Sequence, residues 1–291
     1  MNDSMESPPG SQSSAPSSKG ASGPSSGAGQ GSAPNSWGVA ALARDIRFAL
    51  SFFTRLPVKA PVEGGDLAQA NLAGAARAFP IAGLAVGLVG ALIYFLAVKL
   101  DLSGLLAALL AVAATVIVGG ALHEDGLADF ADMLGVRGDR ARKLEVMRDS
   151  RIGSYGVLAL GFAVAIKVGA LVGLGEPRLV GGALVAAHVM GRAVLPVIMR
   201  SLPLARADGL AHGAGKPTSA GMYQALGLGL LLSAFAVGPG AALVSLVVGV
   251  VAAYLVSEIA RRQIGGYTGD VLGAAQEVAQ LAILINIVSL S

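Results

Sequence analysis

Apolar residues in this chain do not alternate with polar ones; they come in long blocks. Runs at about 79–98, 104–122, 156–175, 180–199, 223–238, 241–257 and 272–290 each hold at most one charged residue. A helix needs about 20 apolar residues to cross bilayer hydrocarbon. The blocks therefore predict an all-α fold, a polytopic integral membrane helix bundle of about seven transmembrane helices. The fifth and sixth blocks are short and share the break at Pro239-Gly240. They read either as two tight spans or as one re-entrant hairpin. Repeated glycines in the blocks suit close helix packing, which lipid does not drive by a hydrophobic effect.

Residues 37–56 are patterned differently. Arg44, Asp45 and Arg47 sit mid-segment, and each would cost roughly 2.5–3.5 kcal/mol at a bilayer centre. An interfacial helix is expected, with Phe48, Phe52 and Phe53 turned to lipid or to the bundle. Residues 1–36 are mostly Ser, Gly, Pro and Ala and cannot offset their ordering entropy. They are expected to be a disordered tail, with no continuous apolar run of the signal-peptide kind. The chain thus divides into a tail, 1–36, and a membrane-embedded domain, 37–291.

Composition agrees. The chain is 54% hydrophobic and 13% charged, with mean hydropathy +0.68; a soluble domain has about 25% charged residues. There is no cysteine, which excludes disulfides, thiolate metal sites and a cysteine nucleophile. The net charge of +3 is read by position, not as a sign of nucleic-acid binding. Loops 55–78, 123–155, 200–222 and 258–271 fall on one side if the spans alternate. They hold Arg55, Lys59, Arg77, Arg137, Arg140, Arg142, Lys143, Arg148, Arg151, Arg200, Arg206, Lys216, Arg261 and Arg262, against Lys99 and Arg178 opposite. The positive-inside bias makes the basic side cytoplasmic.

The candidate chemistry falls on that same side. In His123-Glu124-Asp125-Gly126-Leu127-Ala128-Asp129-Phe130-Ala131-Asp132, helical spacing puts Asp125, Asp129 and Asp132 on one face. Three carboxylates there repel unless a cation sits among them, and Mg²⁺ takes oxygen ligands together with substrate phosphates. A solvated acidic helix end is the plainer alternative. In Met147-Arg148-Asp149-Ser150-Arg151-Ile152-Gly153-Ser154-Tyr155-Gly156, the arginines offer planar donors for phosphate oxygens. Gly153 and Gly156 would let backbone amides approach an anion at a helix start. Lipid attraction explains the plainly basic Arg137, Arg140, Arg142 and Lys143, but not the mixed Asp-Ser-Arg string.

A third cluster is Gly265-Gly266-Tyr267-Thr268-Gly269-Asp270-Val271-Leu272-Gly273, where Asp270 is either an N-cap or a site acid. Glu277 follows inside an apolar helix, where a carboxylate marks function unless it is internally bonded. His188 and Arg192 lie one turn apart in a span, and Lys167 either snorkels or pairs with a carboxylate. Acids, arginines and glycines on one face suit a metal-assisted phosphoryl transfer. Composition and spacing do not name a substrate.

From about residue 44 onward the chain resembles the adenosylcobinamide-GDP ribazoletransferase (cobalamin 5′-phosphate synthase) family. The resemblance is carried in order by Ser51-Phe52-Phe53-Thr54-Arg55-Leu56-Pro57, Phe79-Pro80-Ile81-Ala82-Gly83 and Gly119-Gly120-Ala121-Leu122 with the acidic string. It continues through Met147 to Gly153 and the glycine-rich run 265–274. It implies attack of the α-ribazole 5′-hydroxyl on the corrin-proximal phosphate of adenosylcobinamide-GDP, with release of GMP; α-ribazole 5′-phosphate is the alternative acceptor. It also implies Mg²⁺ as cofactor, a bacterial inner-membrane location, the lipid bilayer and other corrin-assembly enzymes as partners, and no nucleic acid.

On that pattern Asp125, Asp129 and Asp132 are expected to hold Mg²⁺. His123, Asp125, Asp129, Asp270 and Glu277 are the expected catalytic residues. Arg55, Arg148, Ser150, Arg151, Gly153, Thr268 and Gly269 are expected to bind substrate. The tail departs from the family core, and Gln280 stands where some members carry Glu. Two rivals differ in recognisable ways. A CDP-alcohol phosphotransferase would show Asp-x-x-Asp-Gly-x-x-Ala-Arg, which is missing here. A transporter with broken helices would show two related halves, and none are visible.

Overall fold

The computed structural model describes residues 38–61 and 72–291; the expected tail lies outside them. In chain order the elements are α1 (Val39–Phe53), a 3₁₀ turn (Leu72–Ala78), α2 (Phe79–Lys99), α3 (Gly104–Gly119), α4 (Leu122–Gly135), α5 (Arg140–Val146) and α6 (Ser154–Leu174). There follow α7 (Pro177–Ala193), α8 (Leu195–Ser201), α9 (Leu210–Ala214), α10 (Ser219–Val237), α11 (Pro239–Ile264) and α12 (Gly269–Leu290). Among the described residues β-pairing is limited to one bridge, Leu204 with Tyr267.

Among the described residues six stretches are long and apolar enough to cross a membrane alone: 72–99, α6, α7 with α8, α10, α11 and α12. The pair α3 and α4, bent by 91°, meets the same measure only when taken together, which brings the count to seven at most. The chain is therefore a multi-pass membrane protein. The 223–257 region forms two helices, each long enough for its own crossing. Gly238, at φ +85, makes the turn between them, and Pro239 begins α11 where its missing N–H is no loss.

The outer surface is apolar, as lipid requires: Phe162, Phe235, Leu243 and Tyr254 are all exposed. The centre is α7, in which every residue from Ala183 to Ala193 is buried. Helices meet through small residues. A Cβ on Gly83 of α2 would lie 2.3 Å from the His188 carbonyl oxygen of α7, so only glycine allows that approach.

The amphipathic α1 forms as expected but is not simply interfacial. Phe48 and Phe53 are buried in the bundle, and so is Asp45. Arg77, at the end of the 3₁₀ turn, reaches Asp45 at 2.8 Å. That partner explains how a charged position can face inward.

Two local features place the candidate chemistry. The α3–α4 bend passes through Gly120 at φ +66 and Ala121 at φ +54. Ala121 is in the left-handed region, where a side chain is unfavourable. Backbone bonds hold it there, from Gly120 N–H to Ile117 O at 3.1 Å and from Ala121 N–H to Val116 O at 3.0 Å. The bend turns α4 by 91° from the axis of α3. The second feature is contact between α4 and α12 at Gly126 and Gly273. A Cβ on Gly126 would stand 2.8 Å from the Asp270 carbonyl oxygen and 3.0 Å from Gly273 Cα. This glycine contact brings the acidic string alongside Asp270.

Candidate active site

Two cavities meet at Asp125. One is mainly apolar and runs between α1, α4, α8, α9 and the start of α12; Phe53, Phe79, Leu122, Met199, His123 and Asp270 are among its walls. The other is charged and opens toward the 147–152 loop, with Asp129, Arg148, Asp149 and Ser150 in its lining. Asp125 lines both.

Asp125 and Asp129 lie one turn apart on α4. The Asp129 carboxyl is pushed up to about 7, first by burial and then by the charges of Asp270, Asp125 and Asp132; Arg206 pulls the other way. The crowded carboxylates are thus short of positive charge, and hard oxygen donors of this kind suit Mg²⁺. Among the described residues no three His, Cys, Asp or Glu side chains form a ready-made cage. Mg²⁺ commonly binds through one or two carboxylates plus substrate phosphates, which the Asp125–Asp129 pair fits.

Asp132 is placed differently from the expected three-carboxylate set. Its two oxygens accept the backbone N–H groups of Gly153 at 2.7 Å and Gly156 at 2.9 Å. It caps the start of α6, where free N–H groups and the helix dipole favour an anion. The expected role of Gly153 changes with it: the anion its amide meets is Asp132, not a substrate phosphate.

Arg148 and Arg151 stay on the open side. Arg148 pairs with Asp208 at 2.6 Å and Arg151 with Asp149 at 2.7 Å. The hydrogen bonds from Arg151 hold the Asp149 carboxyl down to about 2. Exposed pairs are worth about 0–1 kcal/mol, so either arginine can exchange its carboxylate for a phosphate at little cost.

Thr268 and Asp270 form one unit. Thr268 Oγ1 accepts the Val271 N–H at 3.3 Å, capping α12, and donates to Asp270 Oδ2 at 3.1 Å. Thr268, not Asp270, is therefore the N-cap, and Asp270 is turned into the apolar cavity with Gly269. Arg206 stands 3.7 Å from Asp270. Arg55 stays exposed; its N–H donates to Val118 O at 2.7 Å, and its side chain packs against Gly120 at the α3–α4 bend.

Glu277 lies apart from both cavity linings. It is 1% exposed, and Lys167 of α6 lies 2.8 Å from its Oε2. Lys167 also reaches Glu124 at 3.2 Å. This three-residue ion network ties α4, α6 and α12 together, and its Glu124 also lines the charged cavity. It resolves the two readings of Lys167 in favour of pairing, and it makes Glu277 an internally bonded acid. His188 and Arg192 are buried neighbours: Arg192 Nη1 donates to the His188 carbonyl at 3.3 Å, and its guanidinium lies 5.9 Å from the Phe53 ring centre.

Sequence reasoning gave no role to Asp208 as the Arg148 partner, and none to Glu124. A signal existed for Glu124, since an intramembrane lysine needs an acid and Glu124 directly follows a span. None existed for Asp208, which meets Arg148 only through the fold.

The chain matches the model of the family described as cobalamin-5-phosphate synthase over residues 45–288. It is 47% identical over 243 residues to the adenosylcobinamide-GDP ribazoletransferase of Bradyrhizobium diazoefficiens, covering 83% of this chain and 92% of the relative. The protein of that name from Azorhizobium caulinodans is 42% identical, covering 84% and 94%, and that from Shewanella amazonensis is 41% identical, covering 81% and 92%. No solved structure matches the chain.

Proposed function

The chain belongs to the cobalamin-5-phosphate synthase family, and on that premise we propose how its two cavities carry out the transfer its relatives are named for. A ribose hydroxyl of α-ribazole that is also free in its 5′-phosphate attacks the corrin-proximal phosphorus of adenosylcobinamide-GDP. A phosphorus–oxygen bond forms to ribazole, the bond to GMP breaks, and the corrin gains its lower-ligand nucleotide. The observation that carries this reading is Asp125 standing between an apolar cavity and a charged one. A nucleoside and a diphosphate need two such environments side by side.

Asp125 and Asp129 would hold Mg²⁺. The ion, when bound, neutralises phosphate charge as it develops on the leaving GMP. Arg148 and Arg151 grip the diphosphate by exchanging their carboxylate partners for it. Asp270, oriented by Thr268 and facing the apolar cavity, accepts the proton of the attacking hydroxyl. Asp132 and Glu277 act on the site only through the helices they fix. The excess of Lys and Arg in the loops of this face supports a cytoplasmic orientation in a bacterial inner membrane.

The test is GMP release by purified protein in lipid, given both substrates, with and without Mg²⁺. Mg²⁺-dependent GMP together with a corrin bearing its lower ligand is expected, and Asp125→Ala and Asp129→Ala should abolish it. Full turnover by either variant would remove the metal assignment, and absence of product from intact protein would overturn the reaction.

A further inference from the structure

The apolar cavity has a chemistry of its own. Phe53, Phe79, Leu122, Met199 and Ala214 give it flat or aliphatic walls. Phe53 stands edge-on to Phe79 at 4.9 Å between ring centres and stacks on the His123 ring at 5.7 Å. Its acids, Asp125 and Asp270, belong to the reacting centre. The remaining polar side chain in the lining is His123, a buried imidazole that is 4% exposed. A buried polar atom left unpaired costs free energy, so this wall suits a ligand that is flat and apolar but offers one complementary atom.

Candidate occupants differ sharply against that wall. Guanine carries several donors and acceptors, and an apolar pocket would leave them unsatisfied. A lipid phosphate would meet the repulsion of two carboxylates. The base of α-ribazole is a dimethylbenzimidazole, flat and apolar, with a single free ring nitrogen. Resting on the reaction proposed above, we infer that this cavity is the base subsite of the acceptor nucleoside and that the His123 imidazole in its wall donates an N–H to the free imidazole nitrogen of the base. The ribose then points to the acidic end, where Asp270 meets the attacking ribose hydroxyl. Met199 sets how large a base fits, and His123 selects for a base with a ring nitrogen.

Binding can be read without turnover, from the fluorescence of α-ribazole titrated with the full-length protein in nanodiscs. Three ribosides serve as probes: dimethylbenzimidazole, dimethylindole (a CH in place of the free nitrogen) and a tricyclic imidazole. The wild type should bind the benzimidazole at least about tenfold more tightly than the indole, and His123→Phe should remove that preference. Met199→Ala should admit the tricyclic base about tenfold better than the wild type does, a gain that misfolding cannot imitate. Equal binding of benzimidazole and indole by the wild type, or unchanged base tolerance in Met199→Ala, would overturn the subsite. GMP release measured in parallel separates the two ideas. Turnover without base discrimination removes the subsite and leaves the reaction, whereas discrimination without turnover does the reverse.

Discussion

Replacing Lys167 by Met would remove the cation that pairs directly with both acids of a buried network, while keeping the length of the side chain. The side chains of Lys167, Glu277 and Glu124 are 3%, 2% and 15% exposed, with Lys167 nitrogen–oxygen distances of 2.8 Å to Glu277 and 3.2 Å to Glu124. Two magnitudes compete. If the contacts act as ordinary interhelical hydrogen bonds in a membrane, each is worth about 0.6 kcal/mol. If they neutralise buried charge, removing one partner costs about 3–5 kcal/mol. The near-complete burial of Lys167 and Glu277 selects the second, since water cannot screen the two carboxylates left behind. Glu277→Gln should cost less, because Lys167 keeps Glu124. The triple variant Lys167→Met, Glu124→Gln, Glu277→Gln should recover most of the loss, as neutral replacements of buried ion networks usually do. Unfolding by sodium dodecyl sulfate in mixed micelles, followed by far-ultraviolet circular dichroism, measures all three. A loss below about 1 kcal/mol in Lys167→Met, or a triple variant as unstable as the single one, would refute the reasoning.

Three further outcomes are expected. Asp132→Ala strips two backbone N–H groups of their acceptor and should destabilise the protein by about 1–3 kcal/mol; the same unfolding assay should show no comparable loss for Asp125→Ala. Gly126→Ala forces a Cβ against backbone of α12, where neither side can yield easily, so a loss of about 1–3 kcal/mol should accompany falling GMP release. The Asp129 carboxyl holds its proton more tightly folded, at about 7, than at its ordinary 3.8. The folded state therefore binds more protons in that interval, and without divalent cations stability should rise as pH falls from about 7 toward 4 and be lost as pH climbs through 7; Asp129→Asn should flatten the profile in a pH series of unfolding midpoints.

Much of the bundle was legible because lipid enforces a simple rule. Each apolar block had to satisfy its own backbone, so it had to be a helix. The Gly238-Pro239 turn stayed ambiguous, since its outcome depends on how α10 and α11 pack. The acidic string was legible as chemistry, but helical spacing alone could not separate Asp132 from Asp125 and Asp129. What separates them is α6, whose N–H groups reach Asp132 from 21 and 24 residues along the chain. Glu277 has a partner that spacing could not show for a similar reason: Lys167 is 110 residues away. Short-range spacing reports which residues share a face and leaves open what packs against that face.

The position of Asp125 as a wall common to both cavities bears on kinetic order. Compartments that adjoin but do not overlap can be filled at the same time. Both substrates then occupy the protein together, and phosphorus passes directly from the GMP oxygen to the ribazole oxygen. Initial rates measured against one substrate at several fixed levels of the other should give intersecting lines, and a phosphorus made chiral by isotopes should emerge inverted.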